Sequence, residues 1–179
     1  MKHTLVAKVA DEPGVLNRVA SLFRRRAFNI ESLTVGHTEV DHVSRMTIGV
    51  DTARVPAHIV EANLRKLVPV MDVTDVTHTP TVDRDLALIR VTCSPAERAE
   101  LASLVEIFRG RIVDVARESV IVEVTGHEQK VIGLGDLLMM RGIVEMVRTG
   151  KVAMVRGSTK AEAHEESPEI DDAPSSPTH

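Results

Sequence analysis

Hydrophobic and polar positions follow the same order of periods in two successive segments of the chain. In the first segment, the alternation over 5–9 predicts a strand, and the turn signal at 11–14 precedes a helix with apolar residues at Val15, Leu16, Val19, Ala20, Leu22 and Phe23. A second helix is predicted over 55–67, and further strands over 28–35, 46–50 and 70–76. The predicted order is therefore βαββαβ.

The second segment repeats this order and adds one strand. A strand is predicted over 86–93, and the run Ser94-Pro95-Ala96-Glu97 predicts a helix start, in which Ser94 caps the helix and Glu97 returns to the cap amide. Val131 to Leu138 predict a weaker helix, interrupted by Gly133 and Gly135. The remaining apolar runs predict strands over 112–116, 120–124, 143–147 and 152–155.

These orders predict an α+β protein made of two ferredoxin-like βαββαβ sandwiches. In each sandwich two helices cover one face of a sheet, and the other face or an edge stays available for association. The predicted organisation is a first domain at 1–78, a linker at 79–85, a second domain at 86–157 and a disordered acidic tail at 158–179. Sandwiches of about 75 residues are marginal alone, so dimerisation is expected.

Composition excludes several classes of partner. The 179 residues include three Phe and no Trp or Tyr, although 43% are hydrophobic, so the core must be aliphatic. Sites for single-stranded nucleic acids need exposed aromatic rings, and carbohydrate sites usually use them as well, but three Phe are too few to build either. The net charge of −4 resides in residues 158–179, which hold six acidic residues and one lysine, so the remainder is close to neutral.

The expected cellular compartment is inferred from the cysteine content and from the lengths of the apolar runs. The single Cys93 cannot form an intramolecular disulfide, and the first residues lack the apolar stretch of a signal peptide. No run reaches the about 18 apolar residues of a membrane span. A reducing cytoplasm is the expected location.

No catalytic or metal site is expected from the residue pattern. The eight histidines form no HxxxH or HExxH motif, and His37 and His42 are interpreted as solvated turn residues rather than ligands. Cys93 has no basic neighbour to lower its pKa and is expected to be buried. The run from Gly133 to Gly135 lacks the third glycine and the preceding strand of a dinucleotide-binding loop.

Two groups of arginines have open interpretations. Arg24, Arg25 and Arg26 end the first helix, where the helix dipole favours basic residues, although contact with a phosphate remains an alternative. In the second segment, candidates for contact with a partner protein are Arg109, Arg111, Arg141 and Arg148, for each of which solvated charge is the favoured interpretation.

The start of the first helix is the most informative position. Backbone amides at Gly14, Val15 and Leu16 can hold a carboxylate, and Gly14 has no side chain to block a ligand. Asp11 or a carbonyl suits an ammonium group, and Asn29 offers a donor and an acceptor beside apolar Ile30. These groups suit a small aliphatic amino acid, while ordinary turn and helix-cap roles remain the alternative.

Four stretches of the sequence resemble a known family over residues 2–157. The run DEPGVLNRVASLFRRRAFNIESLTV, followed by SRMTI, is similar to the N-terminal ACT domain of the regulatory (small) subunit of acetolactate synthase, also called acetohydroxyacid synthase. The runs EIFRGRIVDV and IVEMVRTGKVAMVRG are similar to the C-terminal domain of that family. The tail lies outside the resemblance.

The resemblance implies a regulatory subunit with no catalytic site of its own. Such subunits bind the catalytic (large) subunit, raise its activity, and confer feedback inhibition by valine, or by leucine or isoleucine, on branched-chain amino-acid synthesis. Thiamine diphosphate, FAD and magnesium then belong to the catalytic partner. ACT domains pair into a homodimer and bind the effector at the interface of the pair.

The effector site carried over by motif position consists of Asp11, Gly14, Val15, Asn29 and Ile30, and helix-end chemistry adds Leu16. Many family members have Asn where this chain has Asp11, so the choice of effector stays open. The sequence leaves three other functions as alternatives: a free-standing amino-acid-sensing module, an RNA-binding βαββαβ domain, which would need exposed aromatics, and an enzyme, which would need a catalytic constellation.

Overall fold

The computed structural model describes residues 2–53 and 55–157. The first unit contains β1 (Lys2–Ala10), α1 (Val15–Arg25), β2 (Asn29–His37), β3 (Val43–Asp51), α2 (Ala57–Leu64) and β4 (Val70–Asp75). The second unit contains β5 (Thr81–Thr92), α3 (Arg98–Ile107), β6 (Arg111–Val115), β7 (Ser119–Gly126), α4 (Glu128–Met139), β8 (Ile143–Arg148) and β9 (Val152–Val155). The α+β class and the two βαββαβ units are confirmed, whereas the predicted tail at 158–179 lies outside the described residues.

The first unit is an antiparallel sheet of order β2-β3-β1-β4 with both helices on one face. Alternate residues of β1 point at the helices, so that Leu5, Ala7 and Val9 are buried. They pack with Val19 and Phe23 of α1, and the rings of Phe23 and Phe28 meet edge to face with centroids 5.6 Å apart. The aliphatic core predicted from composition is therefore present.

The second unit has the sheet order β6-β7-β5-β8, and β9 pairs with residues 81–84 of the long strand β5. Its core is aliphatic, and Cys93 is buried in it, 2% exposed, as expected. α4 runs unbroken through Gly133 and Gly135 and buries Leu134 and Leu138. The predicted interruption of this helix was wrong, because a glycine weakens a helix by only about 1 kcal/mol, which apolar burial offsets.

Two further local predictions differ from the structure. The predicted linker at 79–85 is mostly strand, because β5 already begins at Thr81 and pairs there with Val155 of β9. At the start of α3, the Glu97 carboxylate accepts the Ser94 amide at 3.0 Å, as the capping pattern predicts. The Ser94 hydroxyl, however, donates to the Glu97 carboxylate at 2.5 Å and caps no backbone amide.

The sheet face of the first unit that carries no helix is partly covered by the second unit. Val6 points to this face and is buried with Val76 and with Ala153 of β9. The Arg45 guanidinium donates to the Ala153 carbonyl at 2.6 Å, and the Thr34 hydroxyl donates to the Thr149 carbonyl at 3.2 Å. β9 and the loop before it therefore join the two units.

Candidate effector site

The turn between β1 and α1 presents the start of α1 at the surface. The Asp11 amide donates to the His42 carbonyl at 2.8 Å, which holds the turn against the β2–β3 loop. Gly14 has a φ of 87°, in the left-handed region that favours glycine, and no described atom lies within 4 Å of where its Cβ would stand. No described side chain caps α1, and its first turn has no acidic residue. The positive end of the helix dipole is thus open to an anion.

Val15 contributes less to this site than its sequence position suggests. Its side chain is buried, and its amide donates to the Glu12 carbonyl at 3.4 Å, within the turn. The Gly14 carbonyl accepts the Arg18 amide at 3.0 Å, which closes the first turn of α1. The Leu16 side chain is 48% exposed, so an apolar group bound at the helix start would meet Leu16 rather than the side chain of Val15.

His37 also lies at this cluster, and its side chain is 85% exposed, in agreement with the predicted solvated residue. Its Nδ1 lies 3.1 Å from Oδ2 of Asp11. The contact arises because β1 and β2 run parallel on either side of β3, so that the end of β2 lies beside the residue that follows β1. The sequence signal was the position of His37 at the last residue of a strand parallel to β1, which only the strand order reveals.

Asn29 and Ile30 lie at the opposite end of the same sheet. Asn29 pairs with Asp51 of β3, and Asp51 pairs with Lys2 at the beginning of β1. His37, in contrast, pairs with Ser44 of β3, which lies beside the end of β1. Eight residues of strand separate these two ends by about 25 Å. Within one chain, the six candidate residues therefore form two separate groups rather than one site.

A cavity of about 360 Å³ adjoins Asn29. Its wall is mixed, with apolar Phe28, Val50 and Val60 beside the charged Asp51. Ile30 is half-buried and packs against the core beneath. The Asn29 end of the sheet thus offers apolar surface beside a polar amide.

A second cavity, of about 540 Å³, lies between the two units. Lys2 of β1 lines this cavity, and the Lys2 Nζ lies 3.1 Å from the Glu31 carboxylate and 3.9 Å from the Glu128 carboxylate. The hydrogen bond to Glu31 and the charge of Glu128 raise the pKa of Lys2 above its ordinary value. On the other wall, Arg148 forms an ion pair with the buried Asp85. The charged side chains that line this cavity are therefore largely paired with one another.

The described residues offer little other chemistry. Over 2–53 and 55–157, no three His, Cys, Asp or Glu side chains group in a way that could hold a metal ion. Gly133 and Gly135 lie inside α4, and no described helix is long and apolar enough to cross a membrane. The open start of α1 is the feature that matches a small anionic ligand.

Comparison with known proteins covers both units. Residues 5–72 match the model of the AHAS small subunit-like ACT domain, and residues 84–157 match the model of the small subunit of acetolactate synthase. A probable acetolactate synthase small subunit from Archaeoglobus fulgidus is 54% identical over 160 residues, which are 89% of this chain and 100% of the relative. The chain belongs to the acetolactate synthase small-subunit family.

Other family members agree in length and structure. The acetolactate synthase small subunit of Bacillus subtilis is 43% identical over 88% of this chain and 92% of its own length. A crystal structure of the acetolactate synthase small subunit from Thermotoga maritima superposes with a TM-score of 0.79 at 41% identity, covering 87% of this chain and 98% of that one. Acetolactate synthase small subunits are the regulatory partners of a catalytic large subunit, so a large subunit is the partner that family membership implies.

Proposed function

We propose that this chain activates the catalytic subunit of acetolactate synthase and makes it sensitive to feedback inhibition by valine or another branched-chain amino acid. The chain contributes no cofactor: thiamine diphosphate, FAD and magnesium reside on the large subunit, in the cytoplasm. Family membership supports the pairing with a large subunit. The observation that supports effector binding is the open, uncapped start of α1 behind Gly14.

The start of α1 suits both ends of an amino acid. The carboxylate of the effector accepts hydrogen bonds from the amides of Gly14 and Leu16, where the helix dipole adds attraction. Asp11, 42% exposed, supplies a negative charge for the ammonium group, and His37 Nδ1 lies 3.1 Å from its carboxylate. The exposed part of Leu16 contacts the aliphatic side chain.

Asn29 and Ile30 join this site from a second chain. Among the described residues, β2 pairs only with β3, so its outer edge is open to a partner strand. When two β2 edges pair antiparallel around a twofold axis, the Asn29 end of one strand meets the His37 end of the other. The separation of about 25 Å within one chain is thereby removed, and a pair of chains holds two equivalent sites.

Inhibition requires that the effector bind one arrangement of the pair more tightly than another. An effector between two chains meets this requirement, because it contacts both partners at once. The second unit is coupled to the same sheet through Arg45 and β9, since the Arg45 guanidinium holds the Ala153 carbonyl. We infer that this contact carries the change of arrangement toward the catalytic subunit.

A reconstituted rate assay tests the proposal. A bacterial acetolactate synthase large subunit is assayed alone, with this chain, and with this chain plus valine, leucine or isoleucine. We expect a higher rate with the chain and a lower rate on addition of at least one of the three amino acids. Failure to copurify with the large subunit or to raise its rate would instead favour a free-standing amino-acid-sensing module.

Two substitutions at Gly14 locate the site in the same assay. Gly14→Asp puts a like charge at the carboxylate position, and we expect it to abolish inhibition while activation persists. Gly14→Asn is the matched control, because it has the same size and the same left-handed backbone strain without the charge. Equal loss of inhibition in both variants would contradict the electrostatic role of the helix start.

A further inference from the structure

The outer face of α1 carries a concentration of positive charge. Residues 14–28 contain four arginines, namely Arg18, Arg24, Arg25 and Arg26, and no acidic residue. All four arginine side chains are exposed, and none forms an ion pair with a described residue. The helix dipole accounts for a basic residue or two in a last turn, but it does not account for a helix without a single acid.

The basic end of α1 also adjoins a surface depression. A surface cavity of about 410 Å³ is lined by Leu22, Arg25 and Arg26. Several exposed arginines elsewhere on the molecule are paired with acids, namely Arg65 with Glu61, Arg111 with Glu123 and Arg90 with Glu145. The end of α1 therefore brings three adjacent arginines, none in an ion pair with a described residue, to one surface depression.

Residues 158–179 have the opposite charge. They contain Glu162, Glu165, Glu166, Glu169, Asp171 and Asp172 against the single Lys160, so that this segment holds the acidic excess of the whole chain. The net charge of this segment is opposite in sign to that of the four arginines of α1. The basic helix α1 and the acidic segment belong to the same chain, so each molecule holds one of each.

The described chain leaves the fold at a point from which α1 is within reach. The Arg156 amide donates to the Pro80 carbonyl at 2.9 Å, so residue 157 lies beside the connection that follows β4. The last residue of β4, Asp75, pairs with Leu5 near the beginning of β1. Asn29, which follows α1, lies at the same end of the strands. Crossing the sheet and one helix layer takes about 25 Å, whereas 22 residues span at most about 70 Å.

We propose that the acidic segment 158–179 docks on the basic end of α1 formed by Arg24, Arg25 and Arg26. Individual exposed ion pairs are weak, so the association depends on several pairs acting together and on the high local concentration set by the covalent link. It also depends on ionic strength, since exposed charges are screened over about 10 Å at 0.1 M salt. The docked segment lies on the helix whose other end is the candidate effector site.

Paramagnetic relaxation in the full chain tests this docking. A nitroxide is attached to a cysteine introduced by Ser167→Cys, while the buried Cys93 resists labelling. We expect the amide signals of residues 24–28 to lose about half of their intensity or more at low salt, and to recover at about 0.5 M salt. The amides at the far edge of the second unit, in β6, serve as an internal reference.

Variants separate docking from chance proximity. Arg24→Gln/Arg25→Gln/Arg26→Gln should restore the signals at low salt, whereas Lys66→Gln/Arg109→Gln/Arg117→Gln removes the same charge from other exposed sites and should leave the loss in place. Signal loss that is absent from residues 24–28, that resists salt, or that is equal in both triple variants would overturn the proposal. Transfer of the loss from labelled to unlabelled chains in a mixed sample would also overturn it, in favour of docking between copies.

Discussion

At the scale of single residues, Asp75 connects the end of β4 to the start of β1. Its Oδ2 accepts His3 Nδ1 at 2.7 Å, and its Oδ1 accepts the Thr77 amide at 3.0 Å and the Thr77 hydroxyl. Thr77 Oγ1 in turn accepts the Thr4 amide at 2.9 Å. Burial acts to raise the pKa of Asp75, but the hydrogen bonds from Thr77 and His3 outweigh it and hold the pKa below the ordinary value.

Asp75→Asn should destabilise the chain by about 1 to 2 kcal/mol at pH 7, because it removes a charged acceptor of three hydrogen bonds. A carboxyl whose pKa is lowered on folding stabilises the folded state above its unfolded pKa of about 3.9, and this contribution is lost as the pH falls through the lower folded value. Urea denaturation at pH 7, 5 and 3 measures the difference between wild type and variant. A difference that does not shrink toward pH 3 would contradict this assignment.

The individual residues of the effector site were only partly predictable from sequence. The open helix start behind Gly14 followed from local chemistry, because the chain passes from a strand through a turn glycine into the helix. The burial of Val15 and the contact between Asp11 and His37 depend on packing and strand order, which spacing along the chain does not contain. Asn29 was correctly paired with apolar neighbours, but its distance from Gly14 within one chain needed the sheet register.

At the scale of elements, the loop between β8 and β9 determines how the second unit meets the first. Gly150 in this loop has a φ of 83°, and a Cβ there would lie 3.2 Å from Thr34 Oγ1 and 3.3 Å from Ser32 Cβ on β2. The carbonyl of the neighbouring Thr149 accepts a hydrogen bond from the Thr34 hydroxyl. A side chain at 150 would therefore strain the backbone and push β2 away from the loop.

Gly150→Ala should lower the free energy of unfolding by about 1 to 2 kcal/mol, from the left-handed backbone alone. Gly157→Ala is the matched control, since no described atom lies within 4 Å of its Cβ position and its φ is not in the left-handed region. Chemical denaturation of the two variants beside wild type gives the comparison. Equal stability of both variants would contradict the left-handed backbone strain at position 150.

Most helices and strands could be predicted, because their apolar periods are regular and each has a clear start or stop. The order βαββαβ followed from those periods in both units. What the pattern could not predict was the partner of β9, since an isolated short apolar strand carries no information about which sheet face it covers. The long strand β5 pairs with three strands, β7, β8 and β9. For the same reason, the sequence pattern predicted only its part at 86–93 and placed a linker before it.

At the scale of the whole molecule, the proposed effector site requires two chains to pair through β2. Val35 on this edge strand is 43% exposed, although apolar, and Met71 on the opposite edge strand β4 is 60% exposed. Val35→Lys adds a charge to the proposed interface, so we expect sedimentation velocity to report monomer where wild type forms a dimer. Met71→Lys should remain dimeric. A dimeric Val35→Lys variant beside a monomeric Met71→Lys variant would place the interface on β4.

The most direct test of the shared effector site mixes two inactive variants. Gly14→Asp disables the helix start of a site, and Asn29→Ala disables the contribution from the other chain, so calorimetry should detect no binding of the effector by either variant alone. If each site combines Gly14 of one chain with Asn29 of its partner, every mixed dimer regains one intact site. After denaturation and refolding of an equal mixture, binding should return to about a quarter of the wild-type capacity. No recovery in verified mixed dimers would contradict a site shared between two chains.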